Sequence, residues 1–122
     1  MTLLTLPGEG PVFPYAGQPM HILAGHEGQP PGFAAMEITV PARFAGPIPH
    51  AHDEFDEAIY VLSGRLLVTG DGEPARVLGL WAPPAPALAF MRDIGAALRP
   101  DTTPEPDHMR EIYERHASRL LP

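Results

Sequence analysis

The chain has 122 residues, 44% of them hydrophobic, which suffices for one domain with one core and is too few for two ordinary domains. Its formal charge of −7 argues against a nucleic-acid surface, which needs clustered cations, and its lack of cysteine removes disulfides, thiolate nucleophiles and cysteine zinc sites. No apolar run approaches the roughly 18 residues of a membrane span, and the first ten residues lack the charged start and apolar core of a secretory signal, so the expectation is a cytoplasmic protein away from membranes.

The first third reads as short extended pieces divided by Pro and Gly: Leu3 to Leu6, Val12 to Tyr15, Met20 to Ala24 and Phe33 to Val40. In the last of these Ala34, Met36, Ile38 and Val40 share one parity, the alternation of a half-buried strand. Gly46-Pro47-Ile48-Pro49 interrupts the pairing before His50 to Asp56. Ala58 to Leu62, the dipeptide Ser63-Gly64 and Arg65 to Thr69 predict a hairpin, with the next turn at Gly70-Asp71-Gly72. Ala75 to Ala82 is a further strand that ends at Pro83-Pro84, where ladder hydrogen bonds cannot continue.

From Pro86 the period changes. Leu88, Met91, Ile94 and Leu98 recur at helical intervals behind a proline suited to a first turn. After a loop from Arg99 to Pro106, Asp107 can cap a second helix whose Met109, Ile112, Tyr113, His116 and Leu120 make one apolar stripe. The chain thus divides into a β-rich part over about residues 1–84 and a helical tail over about 85–122, all in one domain.

Chemistry concentrates at His50 and His52. Two residues apart on an extended strand, their imidazoles point to one face and can converge on one ion. Glu57 stands five residues later, just before an apolar strand, where a hairpin can fold it back beside them. Two imidazoles and a carboxylate with open positions suit iron, and manganese, nickel, cobalt and zinc accept the same set. Asp53, Glu54 and Asp56 add negative charge that would help attract a cation, though a solvated acidic loop is the commoner explanation of such a run. Of the other histidines, His21 and His26 flank a Gly-containing turn and are set aside. His108 and His116 become ligands only if the last helix folds over the site. Tyr60 and Trp81 read as sheet packing rather than cavity lining. No phosphate loop, nucleophile elbow or Ser-His-Asp context stands out.

Gly46, His50-Ala51-His52, Glu57 and Gly64 together resemble the first motif of the cupin superfamily, with full agreement of spacing from His50 to Gly64. Gly46 precedes His50 by three intervening residues where the family usually has five. The resemblance implies an all-β, cupin-type antiparallel β-barrel with one or two C-terminal helices, and a divalent metal ion held by His50, His52 and Glu57. The family's second motif supplies another histidine. Here Gly79-Leu80-Trp81-Ala82-Pro83-Pro84-Ala85 resembles its beginning, but no imidazole follows. Either Leu88 replaces that ligand on a surviving strand, or the strand pair is deleted and Ala87 to Gly95 already belongs to the tail. The tail from Ala89 to Pro122 is similar to that of small single-domain cupins related to quercetin dioxygenase.

On that resemblance the expected function is a metal-dependent enzyme acting on a small organic molecule. Its chemistry would be dioxygenase-like, or that of an isomerase or cyclase, with Glu57 as both ligand and catalytic base. The alternative is a non-catalytic cupin that binds a small ligand or serves a structural role with a degenerate site. A barrel short of strands exposes sheet edges, so a homodimer is expected, through exchanged N-terminal strands, paired edges or the apolar face of the Pro86 to Leu98 helix.

Overall fold

The computed structural model describes residues 2–26, 31–44, 46–47, 50–66 and 75–121. Their strands are β1 (Val12–Tyr15), β2 (Gln18–Ala24), β3 (Ala34–Val40), β4 (His50–His52), β5 (Asp56–Ser63), β6 (Ala75–Ala82) and β7 (Ser118–Leu120). Two helices, α1 (Pro84–Ala97) and α2 (Pro106–Arg115), lie between β6 and β7. Strands β1-β2-β3-β6-β5 form one antiparallel sheet, and β4 and β7 form a second, two-stranded one. The expectation of a β-rich fold with two helices is met. The sheet does not close into a barrel: the described strands, as the reading with strands missing allowed, make an open sheet with a small second ladder beside it.

Alternation places the core. Met20 and Ile22 on β2, Met36 and Ile38 on β3 and Val77 and Trp81 on β6 turn to one face and are buried. Phe90, Met91 and Ile94 of α1, together with Met109, Ile112 and Tyr113 of α2, complete the same cluster. A large apolar side chain fully buried in this way contributes about 1.5–3 kcal/mol. Helix α1 begins at Pro84, two residues before the predicted start, since a proline at either position fits a first turn without a missing donor. It docks closely on β1: Gly95 carbonyl accepts from Ala16 N–H at 3.2 Å, and a side chain at Gly95 would meet the Pro14 carbonyl. Leu88 therefore sits in α1, and of the two sequence alternatives the one that keeps it on a strand is overturned.

Four other expectations are corrected. Leu3 to Leu6 is not a strand; it is tied to β2 by the Thr5 hydroxyl donating to Leu23 carbonyl at 2.7 Å. The ladder partner of β5 is β6, with Glu57 opposite Trp81 and Val61 opposite Val77, whereas Arg65 and Leu66 carry no strand. Residues 67–69 of the predicted return strand and the Gly70-Asp71-Gly72 turn lie outside the described residues. The cap of α2 is Glu105, whose carboxylate accepts from His108 N–H at 2.9 Å, because Pro106 takes the first helical position and moves the start two residues ahead of Asp107. The tail is not wholly helical either, since Leu120, assigned to the helical stripe, belongs to β7.

Candidate functional site

The second ladder exists to hold a three-residue strand. His50, Ala51 and His52 pair with Leu120, Arg119 and Ser118, and Arg119 adds an ion pair to Asp53 at 2.8 Å. Both imidazoles point to one side of β4, as an i, i+2 pair on extended backbone must, and their Nε2 atoms stand 3.2 Å apart. Aromatic rings fix the two planes. His52 stacks on Phe55 at 4.1 Å between centroids and meets Phe90 edge-on at 4.6 Å, while His50 lies 4.6 Å from Tyr113.

The other nitrogen of His52, Nδ1, is 2.6 Å from the Ser118 hydroxyl, which donates its own proton to the His116 carbonyl at 3.3 Å. Ser118 therefore accepts from Nδ1–H, and the lone pair of His52 is left on Nε2, facing His50 and Glu57. Burial, and secondarily the neighbouring His50, lower the His52 pKa from 6.5 to about 4, against a smaller opposing pull from Asp53. At neutral pH this imidazole is uncharged, the form in which histidine donates to a metal.

Glu57 reaches the histidines from the other sheet, at the start of β5. Its Oε2 is 3.9 Å from His52 Nε2 and accepts from Trp81 Nε1–H at 2.7 Å. Trp81 can take this position because Gly79, two residues back on the same face of β6, leaves room for the indole ring. Donors bound to one ion at about 2.1 Å lie about 3.0–3.5 Å apart. The histidine pair has that spacing, whereas the Glu57 oxygen stands wide of it and is held there by Trp81. Among the described residues no three His, Cys, Asp or Glu side chains form a ready-made metal cluster. The donor types are those a divalent ion accepts: two imidazole Nε2 atoms 3.2 Å apart, with a carboxylate oxygen 3.9 Å from one of them.

Around the site, Ile59 and Val61 lie on the Glu57 side of β5, opposite Gly79 and Val77, and form a half-exposed apolar approach. On the opposite face of the same sheet, a depression of about 320 Å³ is bounded by Phe33, Asp56, Ala58, Leu80 and Ala82, turned away from the histidines. His116 does not join the site: its ring is bound to Asp93 at 2.7 Å, tying α2 to α1. His108 is exposed on α2.

Sequence reading missed Ser118, Trp81 and Tyr113. Tyr113 was visible only as one more apolar position in a helical stripe. In the fold it is fully buried beside His50, and burial, with smaller contributions from Tyr15 and Glu57, raises its pKa well above the ordinary tyrosine value. No described helix is long and apolar enough to cross a membrane. Comparison with known proteins found no matching family model and no similar curated protein.

Proposed function

We propose that the chain is a metal-binding cupin whose His50, His52 and Glu57 hold one divalent ion and whose substrate is a small organic molecule. The observation that carries this reading is the convergence of two imidazole Nε2 atoms to 3.2 Å, with the His52 proton directed to the opposite nitrogen by Ser118. Iron, manganese, nickel, cobalt and zinc all accept such a set, and when bound the ion supplies Lewis acidity or oxygen activation. The residues themselves do the positioning. His52 stays neutral, Glu57 rotates between Trp81 and the histidines and can take a proton from a bound substrate, and Ile59 and Val61 provide an apolar rest. Dioxygenase-like chemistry and isomerase or cyclase chemistry both fit the same ligands. The reading takes the protein to be cytoplasmic, a homodimer, and without nucleic-acid or membrane partners.

A second reading has its own observation: the Trp81 bond keeps Glu57 at 3.9 Å from His52, as in a small-ligand-binding or structural cupin with a degenerate site.

Metal titration of purified protein separates the two. One equivalent of a divalent ion is expected in wild type, with at least a tenfold loss of affinity in each of His50→Ala, His52→Ala and Glu57→Ala, all still folded. Metal retained in the His50→Ala/His52→Ala double variant would refute the assignment. Binding of a small ligand without metal would favour the second reading. Oxygen uptake over a panel of flavonols and diketones then selects among the enzyme chemistries.

A further inference from the structure

The Tyr113 side chain is fully buried, and among the described residues its hydroxyl has no hydrogen-bond partner. Leaving a phenol unpaired in a core costs about 1–3 kcal/mol, and a phenylalanine would fill nearly the same space at no such cost. The ring rests on His50 at 4.6 Å and on Phe90 at 5.6 Å, so it lines the histidine side of the interior, and Glu57 and Tyr15 are near enough for each to act on its hydroxyl. Each of the other polar groups named around the site has a counterpart: His52 has Ser118, Glu57 has Trp81, and His116 has Asp93.

We infer that Tyr113 is a ligand-binding residue of this site, its O–H reserved for an oxygen of the bound molecule. The proposal rests on the metal-site reading for what else holds the ligand, and it narrows the ligand class. A neutral phenol has one proton to give, so its partner is an acceptor: an enolate, a catecholate, or a deprotonated hydroxyketone. Such molecules chelate through two adjacent oxygens, which suits a site with three protein ligands and open positions.

Tyr113→Phe tests this with catechol as the probe. Three quantities are read on wild type and variant: the thermal midpoint of metal-free protein, metal affinity, and catechol affinity of the metal-loaded protein. The expected result is a midpoint raised by about 3–6 °C, unchanged metal affinity and catechol binding weakened about tenfold. A lowered or unchanged midpoint would mean that the hydroxyl already has a partner in the folded protein, and this overturns the inference. Equal catechol affinity in the two proteins overturns it as well, as does wild type that takes up metal but no catechol. If wild type takes up no metal, the proposed function fails on its own, and the midpoint comparison alone then decides the role of Tyr113.

Discussion

His52 is held from three directions: Ser118 at one nitrogen, His50 at the other, and Phe55 against its face. Its protonation is therefore a property of the fold. The folded pKa, about 4, lies below the unfolded value of 6.5, so between these limits the unfolded chain binds a proton that the folded one refuses. The stability contributed by neutral His52 is complete above pH 6.5 and is lost as pH falls from there towards 4. Urea midpoints of metal-free protein at pH 7 and pH 5 should fall more in wild type than in His52→Gln, and equal falls would sink the argument. Ser118 acts through the same ring. Ser118→Ala should leave the fold intact and weaken metal binding by about 10–100-fold, as loss of an orienting partner does; a titration that matches wild type would show that the aromatic rings alone orient His52. Nothing in Ser118-Arg119-Leu120 announces this role, because a serine gains its meaning from a partner 66 residues away. That His50 and His52 share a face was legible from their spacing, since two-residue periodicity is a property of any extended strand; singling them out took Glu57 and the motif around them as well.

Among the elements, β6 was the easiest to read and does the most to shape the site. Ala75, Val77, Gly79 and Trp81 alternate strictly with exposed or half-exposed neighbours, and the strand ends at the predicted proline pair. Helices α1 and α2 were legible for the equivalent reason, three- and four-residue apolar spacing. Strand β7 was not: three residues are too few for a period, and Leu120 falls by chance on the continuation of the α2 stripe. The pairing of β5 with β6 was hidden as well, because an apolar run followed by Ser-Gly invites the nearest return strand, whereas the ladder closes over a longer connection. Gly79 on β6 offers a test. A methyl group there would strike the Trp81 indole, and Gly79→Ala should cost about 1–3 kcal/mol and displace the ring from Glu57. Trp81 is the chain's one tryptophan, so its fluorescence reports the move directly. An unshifted emission spectrum would mean that the strand yields instead.

For the molecule as a whole, the two edges of the large sheet are unequal. Strand β1 carries Pro14 and packs beneath α1, which blunts it, and the α1 face expected to pair two chains is already buried in its own. Strand β5 has no proline, is exposed along its length, and shows Tyr60 at 68% exposure beside Ile59 and Val61. It is also self-complementary. Antiparallel pairing with a second β5 sets Asp56 and Glu57 of one chain near Leu62 and Ser63 of the other, keeping the carboxylates apart. Sedimentation should give twice the 13.2 kDa chain mass at micromolar concentration, and Tyr60→Lys should return it to the monomer. A wild-type monomer would place the edge under other cover. The β4–β7 ladder has a consequence in time. Ser118 follows His52 by 66 residues, and at about 5–20 residues per second a ribosome needs about 3–13 s to supply it. For that interval the histidines exist on the nascent chain without the strand that orients them, so whatever the oriented pair binds, it can bind only once the chain is finished.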